Sequence, residues 1–142
     1  MTLILSEPSL CRNQAFISGA WRDADTGDKL IVANPATGKT IGTVPQMGTT
    51  ETVEAIASAH RAQPKWAALT AKDRAAILRR WHDLIMAHQD DLALLMTSEQ
   101  GKPLVEAAGE IAYAASYVEW FAEEAKRLYG TIIPSHRPDA EI

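Results

Sequence analysis

Residues 98–130 read SEQGKPLVEAAGEIAYAASYVEWFAEEAKRLYG. Gln100-Gly101-Lys102-Pro103 opens the stretch as a turn, and no further proline follows before Gly130. Pro103 suits a first helical turn, where its missing N–H loses nothing. Gly130 suits a C-terminal cap. Leu104, Ala108, Ile111, Ala115, Val118 and Ala122 recur at alternating steps of four and three, and the series continues through Ala125 to Tyr129. That spacing places them on one face of a helix. It predicts a helix over 103–129, roughly 40 Å long at about 1.5 Å per residue. Tyr113, Tyr117 and Trp120 form a second stripe beside the first. Such a helix is apolar on more than one side and asks for several neighbours.

The preceding chain divides in two. Phe16–Trp21, Leu30–Val32 and Thr40–Val44 are short apolar runs separated by turn residues, Asp25-Thr26-Gly27-Asp28 and Asn34-Pro35-Ala36-Thr37-Gly38. They predict a β-meander over 16–45. From Thr49 the apolar period changes to that of helices, which are expected over 50–130. Thr50 is the expected cap of the first of these helices, and Pro64 its expected end. Thr70 and Asp73 suggest a capping box for the next. Asp90 or Asp91 is the expected cap of a third. The tail after Gly130 has two prolines and a strand start at Ile132-Ile133. Residues 1–14 show no pattern and read as an arm.

Composition excludes several classes of function. The chain has 142 residues, 46% hydrophobic and 23% charged, ordinary for one globular domain. The net charge of -4 argues against nucleic acid, and Arg79-Arg80 reads as a solvated helix edge. No apolar run approaches the ~20 residues that span a bilayer. The N-terminus lacks a basic n-region, so it does not read as a secretory signal. Cys11 is the single cysteine. A reducing, cytoplasmic setting follows as the expectation.

The search for chemistry finds no complete site. Neither GxGxxG nor GxxxxGK[ST] is present, and CxxC and HExxH are also missing. His82 and His88 fall on different faces of one helix, and His136 lies in the irregular tail. Arg12 beside Cys11 could activate a thiol, but an arm offers no pocket. Glu106 and Glu110 share a face at a spacing that could build half a di-metal site, without the Glu-x-x-His partner. Glu123 and Arg127 form an ordinary helix-surface pair. Spacing alone favours a core role for Tyr113, Tyr117 and Trp120 over a substrate wall.

The order of the pieces resembles the N-terminal part of the aldehyde dehydrogenase superfamily. Phe16-Ile17-Ser18-Gly19-Ala20-Trp21 comes first, then Asn34-Pro35-Ala36-Thr37-Gly38-Lys39 with Ile41-Gly42 and Val44. Ala55-Ile56 through Trp66, Arg74 through Trp81, and Glu99-Gln100-Gly101-Lys102-Pro103 with Glu106 complete the series. LTAKDRAAILRRW, SEQGKPLVEAAGEI and YVEWFAEEAKRLYG look most like bacterial NAD(P)-dependent succinate-semialdehyde dehydrogenases, with glutarate semialdehyde as the competing substrate.

The resemblance implies an α/β fold with a Rossmann-like cofactor domain, a catalytic domain and a hairpin for homo-oligomerisation into dimers or tetramers. In that family a cysteine thiolate attacks an aldehyde, hydride passes to NAD or NADP, and a carboxylate activates water against the thioester. Those catalytic and cofactor residues come later in such proteins. No catalytic or cofactor-binding residue is therefore expected within 1–142, and Cys11 is not the family nucleophile. The chain is expected to be part of the NAD(P)-binding domain and inactive alone, with residues 131–142 beginning the oligomerisation hairpin. By register, the resemblance assigns Gly109, Tyr113 and Tyr117 to the substrate tunnel. It assigns Glu99, with carbonyls of Val32 and Ala33, to a structural monovalent cation. Two alternatives remain: a helical interaction module without catalysis, and an unrelated small enzyme using Glu106, Glu110 and Tyr113.

Overall fold

A computed structural model describes residues 3–131 and 133–139. Strands β1 (Ala15–Ile17), β2 (Ala20–Arg22), β3 (Lys29–Ala33) and β4 (Thr40–Pro45) precede helices α1 (Thr49–Ala67), α2 (Ala71–Ala87), α3 (Gln89–Gln100) and α4 (Leu104–Glu124). The expected order of strands and then helices is present.

The meander is not. The strands form two separate antiparallel pairs, β1–β2 and β3–β4. The run Phe16–Trp21 is itself a hairpin, pairing Phe16 with Trp21 and Ile17 with Ala20. Ser18 and Gly19 turn it with φ of 54° and 85°. Two successive positive φ values match the strand twist at a two-residue hairpin. The Phe16 and Trp21 rings pack at 5.1 Å, and the Arg12 guanidinium lies 4.7 Å from the Trp21 ring.

Glu51 explains the start of α1. Its carboxylate accepts from the N–H of Gly48 and of Asp25, both at 3.0 Å. One buried side chain thus closes the helix end and pins the loop after β2. The Asp25 N–H bond is the leading cause that holds its carboxyl below the usual range. Gly48, not Thr50, occupies the cap position. Pro64 does not end α1, which runs on to Ala67. Residues from His60 onward in α1 are exposed, so water can hydrate the carbonyl that Pro64 leaves unbonded.

Thr70 caps α2 as expected, its Oγ1 accepting from the Asp73 N–H at 3.1 Å. Neither Asp90 nor Asp91 caps α3; His88 holds that position. Helix α4 starts after Pro103 and ends at Glu124, followed by a 3-10 turn over Ala125–Arg127. At 21 residues it is about 31 Å long, shorter than the spacing suggested, and it stops well before Gly130. The described residues after Thr131 form no strand; Ile132 and residues 140–142 lie outside the described residues.

The core lies along the first stripe of α4. Ala115 and Ala122 are buried there, with the buried Ala107 beside it, and α4 packs on α2 and α3. Small residues let the backbones approach closely. Arg79 of α2 reinforces the same seam, donating to Glu119 at 2.6 Å and also bonding Glu123. It is therefore a bridge between helices rather than a solvated edge. Arg127 pairs with Glu124, not Glu123.

Candidate functional site

The second stripe of α4 faces outward. Tyr113, Tyr117, Trp120 and Phe121 are 63%, 51%, 61% and 59% exposed. No helix among the described residues covers them, so the core role that spacing favoured is not what the structure shows. Tyr113 and Tyr117 lie one turn apart with ring centroids at 5.0 Å in an edge-to-face arrangement of 81°. Their hydroxyls are 2.6 Å apart. The bond to Tyr113, then burial, pushes the Tyr117 phenol above its ordinary value. These rings and Trp120 line an open groove of about 650 Å³ with Arg79 at its rim.

Arg79 brings little free charge to that groove. Two carboxylates neutralise it, with the Glu119 bond the leading cause that raises its pKa. The groove therefore offers aromatic faces and phenol hydroxyls. Ser116, Glu119 and Glu123 also line it, but the Ser116 hydroxyl donates to the Tyr113 carbonyl at 2.7 Å and both carboxylates are paired with Arg79. Its chemistry is that of a wall: it can exclude water and donate a hydrogen bond to a ligand oxygen.

Gly109 lies one turn before Tyr113 and is exposed. A Cβ there would meet nothing within 4 Å. Among the described residues no close neighbour demands the glycine. The other face of that turn is fixed by Gln89 Nε2, which donates to the Ala108 carbonyl at 2.9 Å.

A second cluster forms at the end of α3. Gly101 closes the helix in the left-handed region with φ of 83°, its N–H donating to the Thr97 carbonyl at 2.9 Å. A Cβ on Gly101 would lie 2.9 Å from Pro35 Cγ. The Glu99–Lys102 turn and the Asn34-Pro35 turn thus meet. Regular pairing of β3 with β4 breaks between Val32 and Ala33, a place where backbone groups escape the ladder. Glu99 is exposed.

The other candidates separate. Glu110 pairs with Lys102, Glu106 is exposed, and no group of three or more His, Cys, Asp or Glu able to hold a metal occurs among the described residues. Cys11 is exposed. His82 Nδ1 lies 3.0 Å from Asp83 Oδ1 in an exposed pair. Among the described residues no helix is long and apolar enough to cross a membrane. Sequence reasoning missed Arg79 as a bridge; Glu119 and Glu123, one turn apart on α4, were the available signal.

With this geometry in view, the chain belongs to the aldehyde dehydrogenase family, whose sequence profile matches residues 21–142. It is 62% identical to the glutarate-semialdehyde dehydrogenase of Pseudomonas putida over 138 residues, 97% of this chain and 29% of that protein. It is 59% identical to the succinate-semialdehyde dehydrogenase [NADP(+)] of Escherichia coli, with the same coverage. A crystal structure of an aldehyde dehydrogenase from Brucella melitensis biovar abortus superimposes with a TM-score of 0.94 at 54% identity, covering 99% of this chain and 29% of that one. The chain thus has the aldehyde dehydrogenase fold over its described length and corresponds to the N-terminal 29% of these relatives.

Proposed function

We propose that this chain forms the N-terminal portion of an NAD(P)-dependent aldehyde dehydrogenase that oxidises succinate semialdehyde to succinate, with glutarate semialdehyde as the competing substrate. The observation that carries the reading is the similarity, along almost the whole chain, to two semialdehyde dehydrogenases. Their substrates differ by one methylene, a distinction worth only ~1–3 kcal/mol in an apolar pocket, and the two identities do not separate them.

In this reading the segment belongs to the NAD(P)-binding domain, and residues 131–142 lead into a hairpin that joins subunits of a homodimer or homotetramer. The nicotinamide, when bound, accepts hydride; this chain's residues supply a wall. Tyr113 and Tyr117 line the substrate approach, and Gly109 leaves room beside them. One hydroxyl of the pair donates to the other, which leaves one O–H to donate to a ligand oxygen while the rings keep water out. Glu99 and the carbonyls of Val32 and Ala33 are proposed to hold a structural monovalent cation, supported by the broken ladder and the packing of Gly101 on Pro35.

A chimera tests this. Residues of this chain replace the matching segment of the Escherichia coli enzyme, and NADP reduction is followed with both semialdehydes. Turnover is expected. Tyr113→Ala and Tyr117→Ala should each lower kcat/KM about tenfold, mainly through KM, the size of one lost hydrogen bond plus packing. A folded but inactive chimera would refute the assignment to the enzyme. Tyrosine variants with unchanged KM would remove the tunnel role.

A further inference from the structure

We propose that residues 3–12 are a strap that fastens the β3–β4 ribbon to the helices, with Asp91 as its anchor. The need for a fastener comes from the ribbon. A two-stranded hairpin is marginal by itself, and β3 and β4 pack mainly on each other. Leu30 and Ile31 are largely exposed. Gly101 meets Pro35 and Lys29 pairs with Asp23 at 3.3 Å; the arm adds a further tie.

Its path runs from ribbon to bundle. Leu3 lines a small cavity of about 90 Å³ together with Asn34, Thr40 and Ile41 of the ribbon and Ser98 of α3. Leu5 is 7% exposed. Next, the N–H groups of Ser6 and Glu7 donate to the two oxygens of Asp91, at 2.9 and 2.8 Å. Asp91 is 8% exposed. Pro8–Leu10 then forms a 3-10 turn, closed when Ser9 N–H donates to Glu7 Oε1 at 3.0 Å. At the end of that turn Leu10 borders a groove with Trp81, Leu84 and Leu92.

The anchor has a specific chemistry. A carboxylate accepting two backbone N–H groups makes charge-assisted bonds. Those two bonds, Ser6 first, hold its carboxyl below the usual range. A neutral amide offers one acceptor and turns an N–H donor toward the second backbone N–H. Asp91→Asn therefore loosens the anchor without changing its size. The strap does not depend on the aldehyde-oxidation reading.

Amide hydrogen exchange of the chain, carried within the Escherichia coli chimera described above, tests it. In the parent, Ser6 and Glu7 should be protected. In Asp91→Asn their exchange should rise about tenfold or more, the ribbon 29–45 should follow, and α2 and α4 should not change. Leu3→Ala should release the ribbon while Ser6 and Glu7 stay protected; this variant decides the matter if Asp91→Asn fails to fold. The proposal is overturned by unprotected Ser6 and Glu7 in the parent, by a freed arm with an unchanged ribbon, or by a rise spread equally over α2 and α4.

Discussion

Gly101 and Gly109 differ by eight positions and by opposite structural demands. Gly101 holds φ of 83°, and a side chain there would strike Pro35 at 2.9 Å. A left-handed conformation costs an L-residue about 1–2 kcal/mol, and the ring of Pro35 must also move. Gly101→Ala should therefore lower stability by about 1–3 kcal/mol. Gly109 is helical with open space around its Cβ position. Alanine there should raise stability by about 0.5–1 kcal/mol. Urea melts with unchanged m-values check both signs. Gly101 was legible in the sequence because turn chemistry is local. Asp91 was not. It reads as a helix cap from its neighbours, and its partners lie 84 and 85 residues away. A carboxylate does not announce a partner that distant.

At the scale of elements, periodicity succeeded where the repeat was long. The alternating steps of α4 picked out Ala107's neighbours Ala108 and Ile111, and the buried Ala115 and Ala122. They failed at β1–β2, where three-residue strands are too short to show a period of two, so residues 16–21 read as one strand with a turn or bulge at Gly19 instead of a hairpin. The groove was legible only as a stripe. That Tyr113 and Tyr117 face outward depends on which elements surround α4, and spacing holds no such information. The seam makes its own prediction. Ala115 is fully buried between α4 and its neighbours, whereas Ala114 is exposed. Ala115→Leu should cost about 1–3 kcal/mol by overpacking. Ala114→Leu should stay within about 0.5 kcal/mol. Equal effects in thermal or urea unfolding would mean that the α2–α4 seam is not close-packed.

At the scale of the molecule, the apolar surface decides how the chain behaves alone. Phe16, Ile31, Val53, Ile56, Trp81 and the aromatic face of α4 are all exposed. The α4 aromatics line one groove, and a contiguous apolar patch of that kind marks an interaction surface. Helix α1 meets the other elements chiefly at β1, so it too is weakly held. Only part of the burial that a domain of this length usually achieves is available to pay for chain ordering. The isolated 142-residue chain should therefore bind a hydrophobic dye, unfold over a broad temperature range and associate into mixed species as concentration rises. It should show no NAD(P)-linked oxidation of succinate semialdehyde. Sedimentation, dye fluorescence and circular dichroism read these outcomes directly. A single discrete oligomer with sharp unfolding would mean that the α4 face is satisfied by a second copy. That result would favour a self-contained interaction module over a segment whose aromatic wall belongs to a larger enzyme.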